Sequence, residues 1–333
     1  MFIVTGGAGF IGSNFVIKLV ENKKNKIINI DKLTYAGNYQ NIKSLEKRRN
    51  YKFFKANIGD KKIISNILKK NKPRYIINFA AETHVDRSII NPQKFFSSNV
   101  YHSFNFFNEV YNYWKNLDSG SKKKFRFLHV STDEVYGSLG KNQKPFTENS
   151  LLKPNNPYSS SKAAFDQLIR SYSKTFDMPI LITRCSNNYG PRQNSEKLIP
   201  LCIKKLIKKK NIPIYGNGMQ IRDWLHVSDH CSAIYKVLKK GKVGEIYNIG
   251  GNNEKRNLDL VKKICKIFDQ KNHIKNFTHL SLIQHITDRL GHDTRYSINN
   301  TKIKRQLGWS PKIKFENGIS NTIDWYLKTY NWK

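Results

Sequence analysis

Acidic residues are scarce in this 333-residue chain: 24 Asp and Glu stand against 59 Lys and Arg, a formal net charge of +35. Such a balance attracts polyanions, and nucleic acid is the first partner to weigh. Against it, the basic residues are spread along most of the chain, with no basic tail and no aromatic–basic repeat. The charge therefore reads as a solvated surface, and no nucleic-acid partner is expected. Cysteines are few too. Cys185, Cys202, Cys231 and Cys265 lie far apart, without the close pairs of a metal site, so reduced structural thiols and no metal are expected. No run of about 18 apolar residues occurs, so no membrane span is expected. Met1 leads at once into apolar Phe2-Ile3-Val4, which leaves no room for a leader, and the expectation is a cytoplasmic protein.

What remains is an ordinary globular balance, 38% hydrophobic and 25% charged, in a chain long enough for two lobes. The first apolar strand, Met1 to Thr5, runs into Gly6-Gly7-Ala8-Gly9-Phe10-Ile11-Gly12. A helix follows to about Lys23, with Ile11, Phe15, Leu19 and Val20 at helical spacing. Gly6, Gly9 and Gly12 allow a tight turn and close backbone approach to a pyrophosphate at the helix N-terminus. The strand from Lys26 ends at Asp31, where an acid suits the ribose hydroxyls of NAD and repels the 2′-phosphate of NADP.

Strand and helix go on alternating. Strands are expected over Tyr51–Asn57, Tyr75–Ala80, Phe125–Val130 and Pro179–Cys185, with a helix over Lys61–Asn71. Asn91-Pro92 starts an unusually aromatic helix reaching about Leu117, read as core plus a partner-packing face. This is the pattern of an α/β fold, a Rossmann-type doubly wound parallel sheet. The rhythm changes near Asn187, which divides a dinucleotide lobe (1–187) from a smaller C-terminal lobe (188–333). Residues 224–250 are expected to pack back on the first lobe. The Trp325–Trp332 tail reads as the end of a docking helix.

At the end of the strand through Val130 stand Thr132, Asp133 and Glu134, a hydroxyl and two adjacent carboxylates. Strand ends are where such sheets bind ligands. Tyr158 and Lys162 are four apart and share one helix face. A tyrosine acts as a base only if its pKa falls from about 10 towards 7, which takes about 4 kcal/mol of preferential phenolate stabilisation. Lys162 and the positive nicotinamide ring are suitable sources. Behind a dinucleotide turn, the set points to redox chemistry on an alcohol.

These motifs, in this order, resemble the extended short-chain dehydrogenase/reductase superfamily and, within it, the dTDP-glucose 4,6-dehydratase family. The resemblance runs from Phe2 to about Trp325. It rests on Asp31-Lys32-Leu33-Thr34-Tyr35-Ala36-Gly37-Asn38, Thr132-Asp133-Glu134, Ser186-Asn187-Asn188-Tyr189-Gly190-Pro191 and Gln220-Ile221-Arg222-Asp223-Trp224. It implies an NAD-dependent hydro-lyase of deoxysugar biosynthesis, the dTDP-rhamnose route included, that turns dTDP-glucose into its 4-keto-6-deoxy product. It also implies a homodimer through the helices beginning near Pro92 and Tyr158.

By the same resemblance, Phe10, Ile11, Asp31, Lys32, Thr34, Asn57, Ile58, Ala80, Ala81, Asn99, Tyr158, Lys162 and Asn188 match cofactor positions. Thr83, Thr132, Asn187, Lys197, Leu198, Pro213, Tyr215, Arg222, Asn257, Asp288 and His292 match substrate positions. Tyr158 would take the 4-hydroxyl proton, Glu134 the proton on carbon 5, and Asp133 would protonate the departing 6-hydroxyl. Arg222 and Lys197 suit a diphosphate on charge alone. Asn57 stands where the family has Asp, Leu290 where it has Pro, and Thr83 where Ser is common. Rival readings are another sugar-nucleotide dehydratase, epimerase or decarboxylase, or a silent basic binding protein of the same fold. His226, Asp229 and His230 lack the glutamate and third ligand of a zinc helix.

Overall fold

A computed structural model describes residues 1–273 and 277–329. Its strands are β1 (Phe2–Thr5), β2 (Ile27–Asp31), β3 (Tyr51–Lys55), β4 (Tyr75–Asn78), β5 (Arg126–Thr132), β6 (Ile180–Cys185), β7 (Asn187–Tyr189), β8 (Ile212–Tyr215), β9 (Ile221–His226), β10 (Ile246–Ile249), β11 (Glu254–Arg256) and β12 (Ile283–Ile286). Seven of them form one sheet in the order β3-β2-β1-β4-β5-β6-β10, with every neighbouring pair parallel. The central strands are apolar on both sides because helices cover both faces. On one face Phe15, Val16, Leu128, Val130, Ile234 and Val237 share a core; on the other Ile28, Ile76, Phe106, Phe127, Phe165 and Ile169 do.

Winding reverses between β1 and β4, whose registers place Thr5 beside both Ile30 and Asn78. The carboxyl ends there open a crevice, the usual ligand position in a doubly wound sheet. A second lobe has its own core of Tyr189, Ile203, Trp224, Leu260, Ile264 and Ile319. It carries two small sheets, β11-β9-β7 and β12-β8. The chain crosses back between lobes. β10 pairs with β6, Ile246 opposite Ile182, while the helix Val227–Lys240 and then Ile303, Leu307 and Trp309 join the first lobe's core.

The aromatic helix departs from the expected single run. It is built as Pro92–Phe96, one wide π turn at Ser97–His102, and Ser103–Lys115. Within that turn Asn99 is buried, and a local widening of this kind often marks a functional site. Phe95, Phe106 and Phe107 are buried, whereas Phe96 and Tyr101 are 62% and 57% exposed. The helix Pro157–Phe176 starts with a capping box. Asn156 accepts from the Ser159 amide at 2.9 Å, Ser159 accepts in return from the Asn156 amide at 3.3 Å, and Pro157 occupies the first turn. The last helix, Phe315–Thr329, docks through Ile319, Ile323 and Tyr326; the tail's Tyr330, Asn331 and Trp332 lie outside the described residues.

Candidate active site

The cleft begins at the glycine turn. Gly6 has φ 69° and a Cβ there would sit 2.6 Å from the Ala80 amide nitrogen; one on Gly12 would meet the Gly6 carbonyl at 2.3 Å. Only glycine lets the turn, the helix Phe10–Glu21 and the loop after β4 close this tightly. Gly9 caps that helix without a side-chain partner, so its first backbone N–H groups remain available to an anion. Asp31 ends β2 and is fixed by the amides of Ala8 (2.9 Å) and Leu33 (2.8 Å). Burial pushes its carboxyl pKa up, and those two amides oppose the shift. Lys32, Thr34, Asn57, Ile58, Ala80, Ala81 and Asn188 join Gly6, Gly9, Phe10, Ile11 and Gly12 in the wall.

Buried polar atoms of this wall, Ser131 Oγ, Asp133 Oδ2, Asn187 Oδ1 and Asn188 Oδ1, have no hydrogen-bond partner among the described residues. Polar atoms withdrawn from water in this way need a ligand or solvent. Together with the glycine cradle and Asp31, they fit a dinucleotide. Asn99 lies behind the wall. Its side chain accepts from the Glu82 amide at 2.8 Å and donates to the Glu82 carbonyl and Ser161 Oγ, both at 2.9 Å. It ties the loop after β4 to the Tyr158 helix.

Thr132, Asp133, Glu134, Tyr158 and Lys162 all line the same cleft. β5 delivers the first three; Thr132 Oγ1 accepts from the Glu134 amide at 3.3 Å and starts a short turn, Asp133–Tyr136. Burial, then the charges of Glu134 and Asp223, push Asp133 well above the usual carboxylate range. Glu134 is also raised by burial, but Arg222, Arg289 and Lys197 pull it back. The neighbours thus drive the two acids apart, as opposite acid and base duties require.

Tyr158 behaves otherwise than the sequence suggests. Burial and then Glu134 push its phenol well above 10, with a hydrogen bond from Thr132 opposing them. Lys162 is not among the main influences on it; its ammonium nitrogen is turned to the Val130 carbonyl (2.9 Å) and His129 Nε2 (3.1 Å).

Of the residues matched to substrate, Thr83, Thr132, Asn187 and Lys197 line this cleft. Lys197 donates to the Thr83 carbonyl at 2.9 Å. Arg222 is buried beyond Glu134, donating to the Ile221 and Asp293 carbonyls (both 2.8 Å) with its guanidinium 4.2 Å from the Tyr296 ring centre. Leu198 begins the helix after Lys197, Pro213 lies opposite Gln284, and the Asn257 amide donates to the Gln220 carbonyl. Tyr215, Asp288 and His292 gather at the mouth: His292 meets Asp288 at 2.6 Å, and Gln220 meets Asp288 at 3.0 Å. Leu290 is 77% exposed in that loop. His226 caps its helix by accepting from Ser228, and Asp229 accepts from the amides of Lys312 and Ile313.

A family model described as GDP-mannose 4,6 dehydratase matches residues 3–322. A dTDP-glucose 4,6-dehydratase from Xanthomonas campestris pv. campestris (strain B100) is 49% identical over 332 residues, covering 99% of this chain and 94% of the relative. The chain belongs to the dTDP-glucose 4,6-dehydratase family. Solved structures of this family superpose closely. The Bacillus anthracis enzyme in complex with NAD gives a TM-score of 0.87 at 45% identity, covering 99% of this chain and 97% of that one. The Streptomyces venezuelae enzyme with NAD bound gives 0.89 at 38% identity, covering 99% and 98%.

Against this family frame, sequence reasoning missed several neighbours of the site. Asp86 reaches across the mouth, accepting from Tyr215 Oη at 3.1 Å and from Arg289 Nη1 at 3.2 Å. Glu196 accepts from Arg87 at 2.9 Å and lines the cleft with Cys185, Gln193 and Asn194. The signal for Asp86 was its place in the same loop as Thr83. Arg289 adjoins Asp288 in a loop already singled out. His129 is a lone imidazole in the apolar strand β5, a setting that carries no site signal in the sequence.

Proposed function

We propose that the protein is an NAD-dependent dTDP-glucose 4,6-dehydratase, a lyase that removes water from the sugar and leaves a 4-keto-6-deoxy product. The observation that carries this reading is the cleft holding Thr132, Asp133, Glu134 and Tyr158 together beside a dinucleotide cradle. Bound NAD would supply the hydride acceptor for carbon 4 and the hydride donor for carbon 6. Gly6, Gly9, Gly12, Asp31, Lys162 and Asn188, which line that cleft, would hold it. Tyr158 takes the proton of the 4-hydroxyl while Thr132 orients that oxygen. The resulting ketone acidifies the proton on carbon 5, which Glu134 removes. Asp133, kept protonated by burial and by Glu134, gives its proton to the departing 6-hydroxyl.

Tyr158 needs a positive neighbour to reach its base form, and the nicotinamide ring of bound NAD would supply that charge. Arg222 and Lys197 take the diphosphate, with Leu198, Pro213, Tyr215, Asn257, Asp288 and His292 around the rest of the nucleotide. Residues 1–187, with 224–250 returned to them, form the cofactor lobe, and 188–333 the sugar-nucleotide lobe. The protein works in the cytoplasm, in deoxysugar biosynthesis with dTDP-rhamnose among the end products. It acts as a homodimer through the helices Pro92–Phe96 with its continuation and Pro157–Phe176; exposed Phe96 and Tyr101 supply apolar surface for the contact.

The test is incubation with dTDP-glucose and NAD followed by alkali, which develops the absorbance of a 4-keto sugar. Deuterium placed on carbon 4 must reappear on carbon 6 of the product. A 4-epimer, or loss of the label to solvent, overturns the reading.

A further inference from the structure

At the outer end of the dinucleotide cradle, one side chain has a hydrogen-bond polarity that the fold does not require. The glycine turn after β1 suits a pyrophosphate, and Asp31 at the end of β2 suits the adenosine ribose. The base then lies further out along the sheet, over the end of β3, the next strand in order. There the cleft is lined by buried, apolar Ile30, Ala56 and Ile58, and by Asn57. The Asn57 side chain is not free to turn. Its Oδ1 accepts from the Gly59 amide at 3.0 Å, and its backbone carbonyl accepts from the Asp60 amide, also at 3.0 Å. Asp60 in turn caps the helix Lys61–Asn71, accepting from the Ile63 amide at 3.0 Å. Gly59 is pressed against the wide turn, where a Cβ would sit 2.5 Å from His102 Cδ2. A backbone N–H can only donate, so the oxygen of the Asn57 amide belongs on the Gly59 side. The end left over is Nδ2, which can only donate and has no hydrogen-bond partner among the described residues.

We infer that Asn57 is a specificity-determining residue that presents a donor to the purine edge, so that the site takes a 6-oxo purine dinucleotide alongside NAD. The 6-amino group of adenine is itself a donor and finds no acceptor in Nδ2. The 6-oxygen of hypoxanthine accepts from it. A carboxylate at this position would do the reverse, because it can only accept. The inference rests on the reading of the cleft as a dinucleotide site.

The test is calorimetric titration of dinucleotide-free protein with NAD and with nicotinamide hypoxanthine dinucleotide, which differ only in the purine and carry the same charge at neutral pH. Wild type is expected to bind the two with dissociation constants within about tenfold of each other. Asn57→Asp keeps an acceptor for the Gly59 amide. It should shift the ratio of the two constants by about tenfold or more in favour of NAD, as a donor–donor opposition becomes a charge-assisted hydrogen bond. The added charge weakens both dinucleotides alike, and every other group at the purine edge is common to the two proteins, so the ratio isolates this side chain. A purely structural role for Asn57 in its turn predicts an unmoved ratio. Wild type favouring NAD by more than about tenfold, or a ratio unchanged by Asn57→Asp, overturns the inference. Should the variant fail to fold, the wild-type ratio alone decides. Binding of neither dinucleotide would overturn the cofactor reading itself, and the inference with it.

Discussion

At Asp133, burial and the charges of Glu134 and Asp223 favour the protonated carboxyl in the folded protein. A carboxyl with a raised folded pKa helps stability below its unfolded value and loses that contribution as pH climbs through the raised one. Asp133→Asn should therefore raise the melting temperature at pH 7–8 more than at pH 4, while turnover falls by about a hundredfold or more. Paired thermal melts and assays at the two pH values check this. Glu134→Gln should act elsewhere. Oxidation at carbon 4 continues, but exchange of the carbon 5 proton with deuterated solvent falls by about 10²–10⁴. Mass spectrometry of the sugar reads both events, and equal loss of both would reassign Glu134.

The presence of these acids was legible in the sequence because they follow a strand that a parallel sheet must bury. The separation of their protonation states was not, since it depends on Asp223 and Arg222 arriving from β9 of the other lobe. Tyr158 shows the same limit: four-residue spacing put Lys162 on its face, but His129 on β5 decides where that amine points.

The first turn of the helix Pro157–Phe176 carries Tyr158, and the Asn156–Ser159 capping box sets its angle of entry. Asn156→Ala should cost about 1 kcal/mol of stability and lower kcat more than it raises KM, which melts and steady-state kinetics together can resolve. The wide turn at Ser97–His102 acts on another wall of the cleft. Asn99→Ala strands the Glu82 amide and carbonyl, about 1–3 kcal/mol each for buried unsatisfied groups. Calorimetry should find weaker NAD binding for this variant. Helical periodicity and the Asn-Pro start revealed that a helix begins at Pro92. The extra residue per turn left no periodic trace, because it is specified by the hydrogen bonds Asn99 makes to Glu82 and Ser161.

For the molecule as a whole, strand and helix alternation made the parallel sheet readable as far as β6. β10, within the stretch 224–250 expected to pack back on the first lobe, returns to the sheet only after the chain has built β7, β8 and β9. If the Phe96 and Tyr101 surface joins two copies, Phe96→Glu should convert a dimer to a monomer by light scattering, at little cost to the fold since Phe96 is 62% exposed. The mouth is a second feature of this scale. Asp86 holds both Tyr215 and Arg289 across it, and these contacts draw the two lobes together.

The detour that brings β10 home also decides how the polypeptide tolerates cutting. A product stopped after Asn187 would lack the partner of β6, and the apolar side chains of the helix Val227–Lys240 would no longer cover Leu128 and Val130. Its bare rim of amides and carbonyls, flanked by uncovered aliphatic surface, is a template for stacking against its own kind. Expressed alone, that fragment should collect in inclusion bodies, so the two halves depend on one uninterrupted ribosomal product.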